Sequence, residues 1–140
     1  MRVLVLCTGN SCRSQMAQGL LQSFDPKLEV YSAGTKPAAC VNEHAIKVMA
    51  EIGIDISTNK PKSVTQFLGE EWDFVITVCG SANEFCPMFY GKVKHRVHLG
   101  FDDPSLVTGT EEHILNEFRH TRDRIKQKLF KFYEENLKEG

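Results

Sequence analysis

Apolar residues fall at consecutive positions in two places along the chain. Val3-Leu4-Val5-Leu6 is a β-branched and aliphatic run, and Trp72 to Val78 is a second strongly apolar stretch. A strand apolar on both faces belongs inside a parallel sheet. Between and beyond them the period changes. Met16, Ala17, Leu20, Leu21 and Phe24 recur at helical spacing, and Asp25-Pro26 stops that helix. Leu28 to Ser32 reads as a short strand. Asn42 caps a helix with Ala45, Ile46, Met49, Ala50 and Ile52 on one face, ended by Gly53. Ser63 to Glu71 predicts a short helix, Gly80 to Gly91 a loop, and Lys94 to Leu99 a last strand. Thr110 caps a long final helix with an apolar stripe of Ile114, Phe118, Ile125, Leu129 and Phe132. The order β-α-β-α-α-β-β-α implies a parallel sheet with helices on both faces. Ligands of such sheets bind outside the carboxyl ends of the strands.

Composition narrows this picture. The chain has 140 residues, 41% hydrophobic and 25% charged, which suits one globular domain spanning 1–140. Seventeen basic residues face eighteen acidic ones, a formal charge of −1, which argues against nonspecific nucleic-acid binding. No apolar run approaches a membrane span or a secretory leader. A soluble, cytoplasmic monomer is expected. Five cysteines, an odd number, suit a reducing compartment and point to catalysis, redox work or metal rather than a disulfide framework.

The chemistry concentrates in Cys7-Thr8-Gly9-Asn10-Ser11-Cys12-Arg13-Ser14. A buried strand ends at Cys7 and a helix begins near Ser14. A loop there can turn successive N–H groups inward as an anion nest, with the helix N-terminus adding its own. Arg13 can grip two oxygens of a tetrahedral oxyanion. The same field should lower the pKa of Cys7 and make it a nucleophilic thiolate, with Ser14 hydrogen-bonding the sulfur and Asn10 holding the curl.

This segment resembles the C-x5-R-S phosphate loop of the low-molecular-weight protein tyrosine phosphatase superfamily. The resemblance implies a three-layer α/β sandwich with a four-stranded parallel sheet in the order 2-1-3-4. It also implies one of two activities, tyrosine phosphatase or thioredoxin-coupled arsenate reductase. Thr8, Gly9, Asn10, Ser11, Cys12, Arg13 and Ser14 would bind the oxyanion: arsenate, or phosphate or sulfate as its mimic.

The other thiols discriminate. Neighbouring strands lie about 4.8 Å apart, within the Cα separation of a disulfide, so Cys7 and Cys79 at matching strand ends could bond. Cys79-x6-Cys86-Pro87 looks like the pattern of the thioredoxin-coupled arsenate reductases. The implied relay runs from an adduct on Cys7, through a Cys7–Cys79 disulfide, to Cys79–Cys86, which thioredoxin resets. Bound cofactors and metals are not part of it. Zinc held by Cys79, Cys86, His95 and His98 is a competing reading with unusual spacing. Cys12 is either a spare redox partner or a loop residue whose N–H matters, and Cys40 has no assigned role.

Asp103-Pro104, past the last strand, resembles the superfamily's acid loop, with Asp103 the proton donor and Asp102 the lesser candidate. Ser105-Leu106 stand where the phosphatases carry an aromatic pair, which favours a bare inorganic oxyanion. Some reductases build a cation site partly on an acidic residue of the first helix, whereas this chain has Gln18 there. The alternative activity, hydrolysis of phosphate monoesters through a Cys7 phosphocysteine, needs only Cys7, Arg13 and Asp103. A non-catalytic oxyanion or redox sensor is the third reading.

Overall fold

The computed structural model describes residues 1–80 and 88–138. Four parallel strands form the sheet: β1 (Arg2–Cys7), β2 (Glu29–Gly34), β3 (Glu71–Cys79) and β4 (Lys92–Phe101), in the order β2-β1-β3-β4. Three α-helices accompany them: α1 (Arg13–Phe24), α2 (Glu43–Ala50) and α3 (Glu111–Phe132).

The consecutive apolar residues of β1 are explained by its central place. Val3 and Val5 point into one core with Met16, Leu20, Leu21, Val48, Met49, Phe118, Ile125 and Leu129. Leu4 and Leu6 point into a second core with Ala33, Phe67, Trp72, Val75 and Phe89. A one-residue slip would exchange these faces, but because both are apolar the strand loses little pattern by it. Register must then come from its two neighbours. Val3 lies opposite Val30 on one side and Phe74 on the other.

All three α-helices bear on the first core. The expectation of helices on both faces is thus met differently among the described residues. The second face is covered by a 3-10 turn at Val64–Phe67, by Trp72 and by Phe89. Ser63, which caps the turn by accepting from the Thr65 N–H, opens a segment too short for a full helix before β3 begins at Glu71.

Caps follow the sequence closely. The Asn42 side chain accepts from the N–H of His44 and Ala45 at the start of α2. Gly53, at φ +80°, closes that helix: its N–H donates to Ala50 O and the Ile54 N–H to Met49 O. Thr110 accepts from the His113 N–H ahead of α3. The polar face of α3 is not all solvated. Arg122 is buried and donates from Nη1 to Val48 O and to Glu51, tying α3 to α2. No helix among the described residues is long and apolar enough to cross a membrane.

Candidate active site

The carboxyl ends of β1 and β3, the start of α1 and the loop after β4 meet at one edge of the sheet. Cys7 ends β1 and is nearly buried. The next residues curl because their carbonyls are drawn outward. Lys36 N–H donates to Thr8 O at 2.9 Å, Ala38 N–H to Gly9 O at 2.9 Å, and Asn42 N–H to Ser11 O at 2.8 Å. The peptide bonds are trans, so the N–H groups of Gly9, Asn10 and Cys12 point the opposite way from those carbonyls. The 36–42 strap therefore orients these amides.

Close contact with β2 needs a glycine. A Cβ on Gly34 would sit 2.4 Å from Thr8 O, so any side chain there would displace the cradle.

Asn10 holds the curl. It is buried with φ 52°, a left-handed conformation that asparagine tolerates better than most residues. Its Nδ2 donates to Ser14 Oγ at 2.8 Å, and its Oδ1 accepts from the Lys62 N–H at 2.9 Å. Since Ser14 Oγ already accepts from Asn10, its own hydrogen is available to a neighbouring acceptor such as the Cys7 sulfur. Gln15 completes the network: its Nε2 donates to Asn10 O at 3.2 Å, and its Oε1 accepts from Asn59 at 3.2 Å. Gln15, Asn59 and Lys62 are supports that the reading of the sequence missed. The signal available was Gln15, a polar residue immediately before the apolar face of α1.

Helix α1 begins at the cradle without a side-chain cap on its first amides and without an acidic residue in its first turn. Those N–H groups and the positive end of the dipole suit an oxyanion. Arg13 is its first residue and 3% exposed. Its Nη1 donates to Phe101 O at 2.9 Å, and its Nη2 lies 3.5 Å from Asp103 Oδ2. The pairing of β3 with β4 slips near their ends, from Thr77 opposite His98 to Cys79 opposite Phe101. Past this irregularity, Phe101 O and Asp103 in the following loop lie against Arg13.

Asp103 caps the 3-10 turn Pro104–Leu106, its Oδ1 accepting from the Ser105 N–H and hydroxyl at 2.9 and 2.7 Å. Asp102 is exposed. Leu106 and Tyr90 are both largely exposed. Cys12 is the N-cap residue of α1, and its Sγ lies 3.5 Å from Asp103 Oδ1.

β1 and β3 are direct neighbours, with Leu6 opposite Thr77, so Cys7 and Cys79 lie one step apart beyond the last paired residues. Cys79 is 1% exposed and disulfide-bonded. Cys7, Cys12 and Cys40 are unbridged thiols, with Cys40 exposed. Cys86 lies outside the described residues.

The zinc reading loses its histidines. His95 stacks on Phe74 with ring centroids 4.9 Å apart, while the His98 Nδ1 pairs with Thr77 Oγ1 at 2.8 Å. Odd and even positions of β4 face opposite sides of the sheet, so these two rings cannot share an ion. No cluster of metal-binding side chains occurs among the described residues. Gln18 spends its amide on Val30 O and the Ser32 hydroxyl, linking α1 to β2.

These elements define an α/β protein with a buried cysteine at the end of β1, beside a loop of inward amides and a buried arginine. Over residues 2–140 the chain matches, and belongs to, the low molecular weight phosphotyrosine protein phosphatase family. An arsenate reductase of Halalkalibacterium halodurans is 45% identical over 94% of each chain. Among solved structures, an arsenate reductase in the phosphate binding state is 29% identical, with TM-score 0.78 over 96% of this chain and 97% of that one. A thioredoxin-dependent arsenate reductase of Corynebacterium glutamicum is 28% identical, with TM-score 0.59 over 95% of this chain and 61% of that one.

Proposed function

We propose that this chain is a cytoplasmic arsenate reductase running a thiol–disulfide relay through Cys7, Cys79 and Cys86. The observation that carries the reading is a second cysteine beside the loop: Cys79, disulfide-bonded, sits one step from Cys7 on the neighbouring strand. Hydrolysis of a phosphate ester through Cys7 needs no second thiol. The family relatives named arsenate reductase support the same substrate.

Arsenate occupies the nest, its oxygens on the loop amides, the first turn of α1 and Arg13. The Cys7 thiolate attacks arsenic(V) and forms a sulfur–arsenic bond. Asp103 protonates the oxygen that departs, so that it leaves as water. The Cys79 thiolate then attacks the Cys7 sulfur. The electron pair of the sulfur–arsenic bond passes to arsenic, arsenite leaves, and a Cys7–Cys79 disulfide remains. Cys86, as thiolate, attacks the Cys79 sulfur and releases Cys7 as thiolate. A dithiol of the thioredoxin class takes the disulfide and restores two thiols. The name of the Corynebacterium glutamicum neighbour supports that choice of reductant.

Hydrolysis of aryl phosphates is the second reading, because Cys7, Arg13 and Asp103 alone suffice for it. The two separate in one experiment. Reduced enzyme is given arsenate with thioredoxin, its reductase and NADPH, and in parallel an aryl phosphate. NADPH oxidation that depends on arsenate is expected, and Cys79→Ser should abolish it while sparing any phosphate hydrolysis. Aryl phosphate turnover without arsenate-dependent NADPH oxidation would overturn the reductase reading.

A further inference from the structure

The cradle contains a second thiol whose neighbours are those of the acid. Cys12 Sγ lies 3.5 Å from Asp103 Oδ1, across 91 positions of sequence. That oxygen also accepts the N–H and hydroxyl of Ser105, while Oδ2 meets Arg13 Nη2 at 3.5 Å. We propose that Cys12 is a positioning residue for the acid: its S–H donates to Oδ1 and turns Oδ2 toward Arg13 and the bound oxyanion. This rests on the reading of Asp103 as proton donor.

The division of the carboxyl group into two ends supports it. Oδ1 is held from two sides, by Ser105 on its own loop and by Cys12 at the start of α1. Oδ2 faces the guanidinium, where substrate oxygens bind, so it is the oxygen suited to deliver a proton. Cys12 is itself fixed, because Asn42 N–H donates to Ser11 O and Met16 N–H to Cys12 O. Consecutive residues, Cys12 and Arg13, therefore address the two carboxyl oxygens and define the plane of the acid.

The thiol is also suited to donate rather than to react. Burial, and next the Asp103 carboxylate, push the Cys12 thiol up to about 12, against the Arg13 charge and a backbone hydrogen bond that lower it. At neutral pH the thiol therefore carries its proton and can donate it in a hydrogen bond.

The charged and titratable groups around Asp103 come from three elements. Cys12 and Arg13 belong to the start of α1, and Asp102 to the acid loop. Glu117, His120, Asp123 and Arg124 of α3 line with Asp103 a cavity of about 420 Å³.

The test measures the pre-steady-state release of arsenite from fully reduced enzyme over a range of arsenate concentration, for Cys12→Ala, Cys12→Ser, Asp103→Asn and the double variant Cys12→Ala/Asp103→Asn. Cys12→Ala is expected to slow the burst by roughly three- to tenfold, the scale of one modest hydrogen bond. Its KM for arsenate should stay near the parent value, so that the loss falls on the rate of the step and not on binding. Cys12→Ser, which keeps a donor, should restore the burst. The double variant should be no slower than Asp103→Asn. Equal losses in the Ala and Ser variants, a loss that falls on KM, or additive losses in the double variant would overturn the proposal and leave Cys12 as packing. If Asp103→Asn is as fast as the parent, the acid assignment itself fails. If Asp103→Asn is slow and Cys12→Ala is not, only the Cys12 inference fails.

Discussion

Enzyme carrying Cys86→Ser is expected to reduce one equivalent of arsenate per chain and then stop. Cys7 and Cys79 suffice for the first two electrons, since each two-electron reduction consumes two thiols. Without the third thiol, the oxidising equivalent stays on the Cys7–Cys79 bridge. That bridge lies at the ends of two central strands, where both cysteines are nearly buried. A protein dithiol must reach the sulfur it attacks, and access limits exchange as much as thiolate content does. The signature is a burst of arsenite equal to the enzyme concentration, followed by a steady rate about a hundredfold below the parent, because burial of the bridge blocks attack by the dithiol. Quenched-flow arsenite measurement with thioredoxin in excess checks it. Sustained turnover by the variant would remove Cys86 from the path.

Arg13→Lys is expected to lower kcat/KM for arsenate by about 10²–10³, the range seen when one preorganised donor to a developing oxyanion is removed. The residue is buried at the mouth of the cradle and bonded to Phe101 O, with Asp103 beside it. A lysine keeps the charge but not the fork. It cannot hold a carbonyl and two substrate oxygens in one plane. The steady-state rate over a range of arsenate concentration measures this, with thermal unfolding showing that the variant is folded. A loss below about threefold would mean that amides alone bind the substrate, since uniform electrostatics would then suffice.

Sequence reading reached the parts of this molecule that are local or strongly periodic. β1 was legible because Val3 to Leu6 face two apolar cores at once, and a run of four apolar residues is how such a strand is written. The caps at Asn42 and Thr110 were legible because their side chains bond within three residues. The strand order came instead from resemblance to a family, since periodicity says which faces are buried but not which strands are neighbours. The segment after Ser63 was read as a helix and is one 3-10 turn. Its four residues hold too few positions for helical periodicity to distinguish the two.

At the site, the contiguous loop from Cys7 to Ser14 and its place before a helix were visible as a motif. What was hidden depends on residues distant in sequence. Lys36, Ala38 and Asn42 act through backbone N–H groups, which carry no signature in residue type. Lys62 reaches Asn10 the same way, with its amide and not its ammonium. Arg122 lies buried between α2 and α3, and nothing in its residue type announces this, because a charged residue on a helix gives no sign that a carbonyl and a carboxylate await it.

The most direct measurement is made on the spent protein. Reduced enzyme is exposed to arsenate without any reductant, alkylated to block remaining thiols, digested, and its crosslinked peptides identified by mass spectrometry. The relay predicts that a peptide containing Cys79 is joined to one containing Cys86, with Cys7 recovered alkylated. A bridge from Cys7 to Cys12, or no bridge at Cys79, would contradict it.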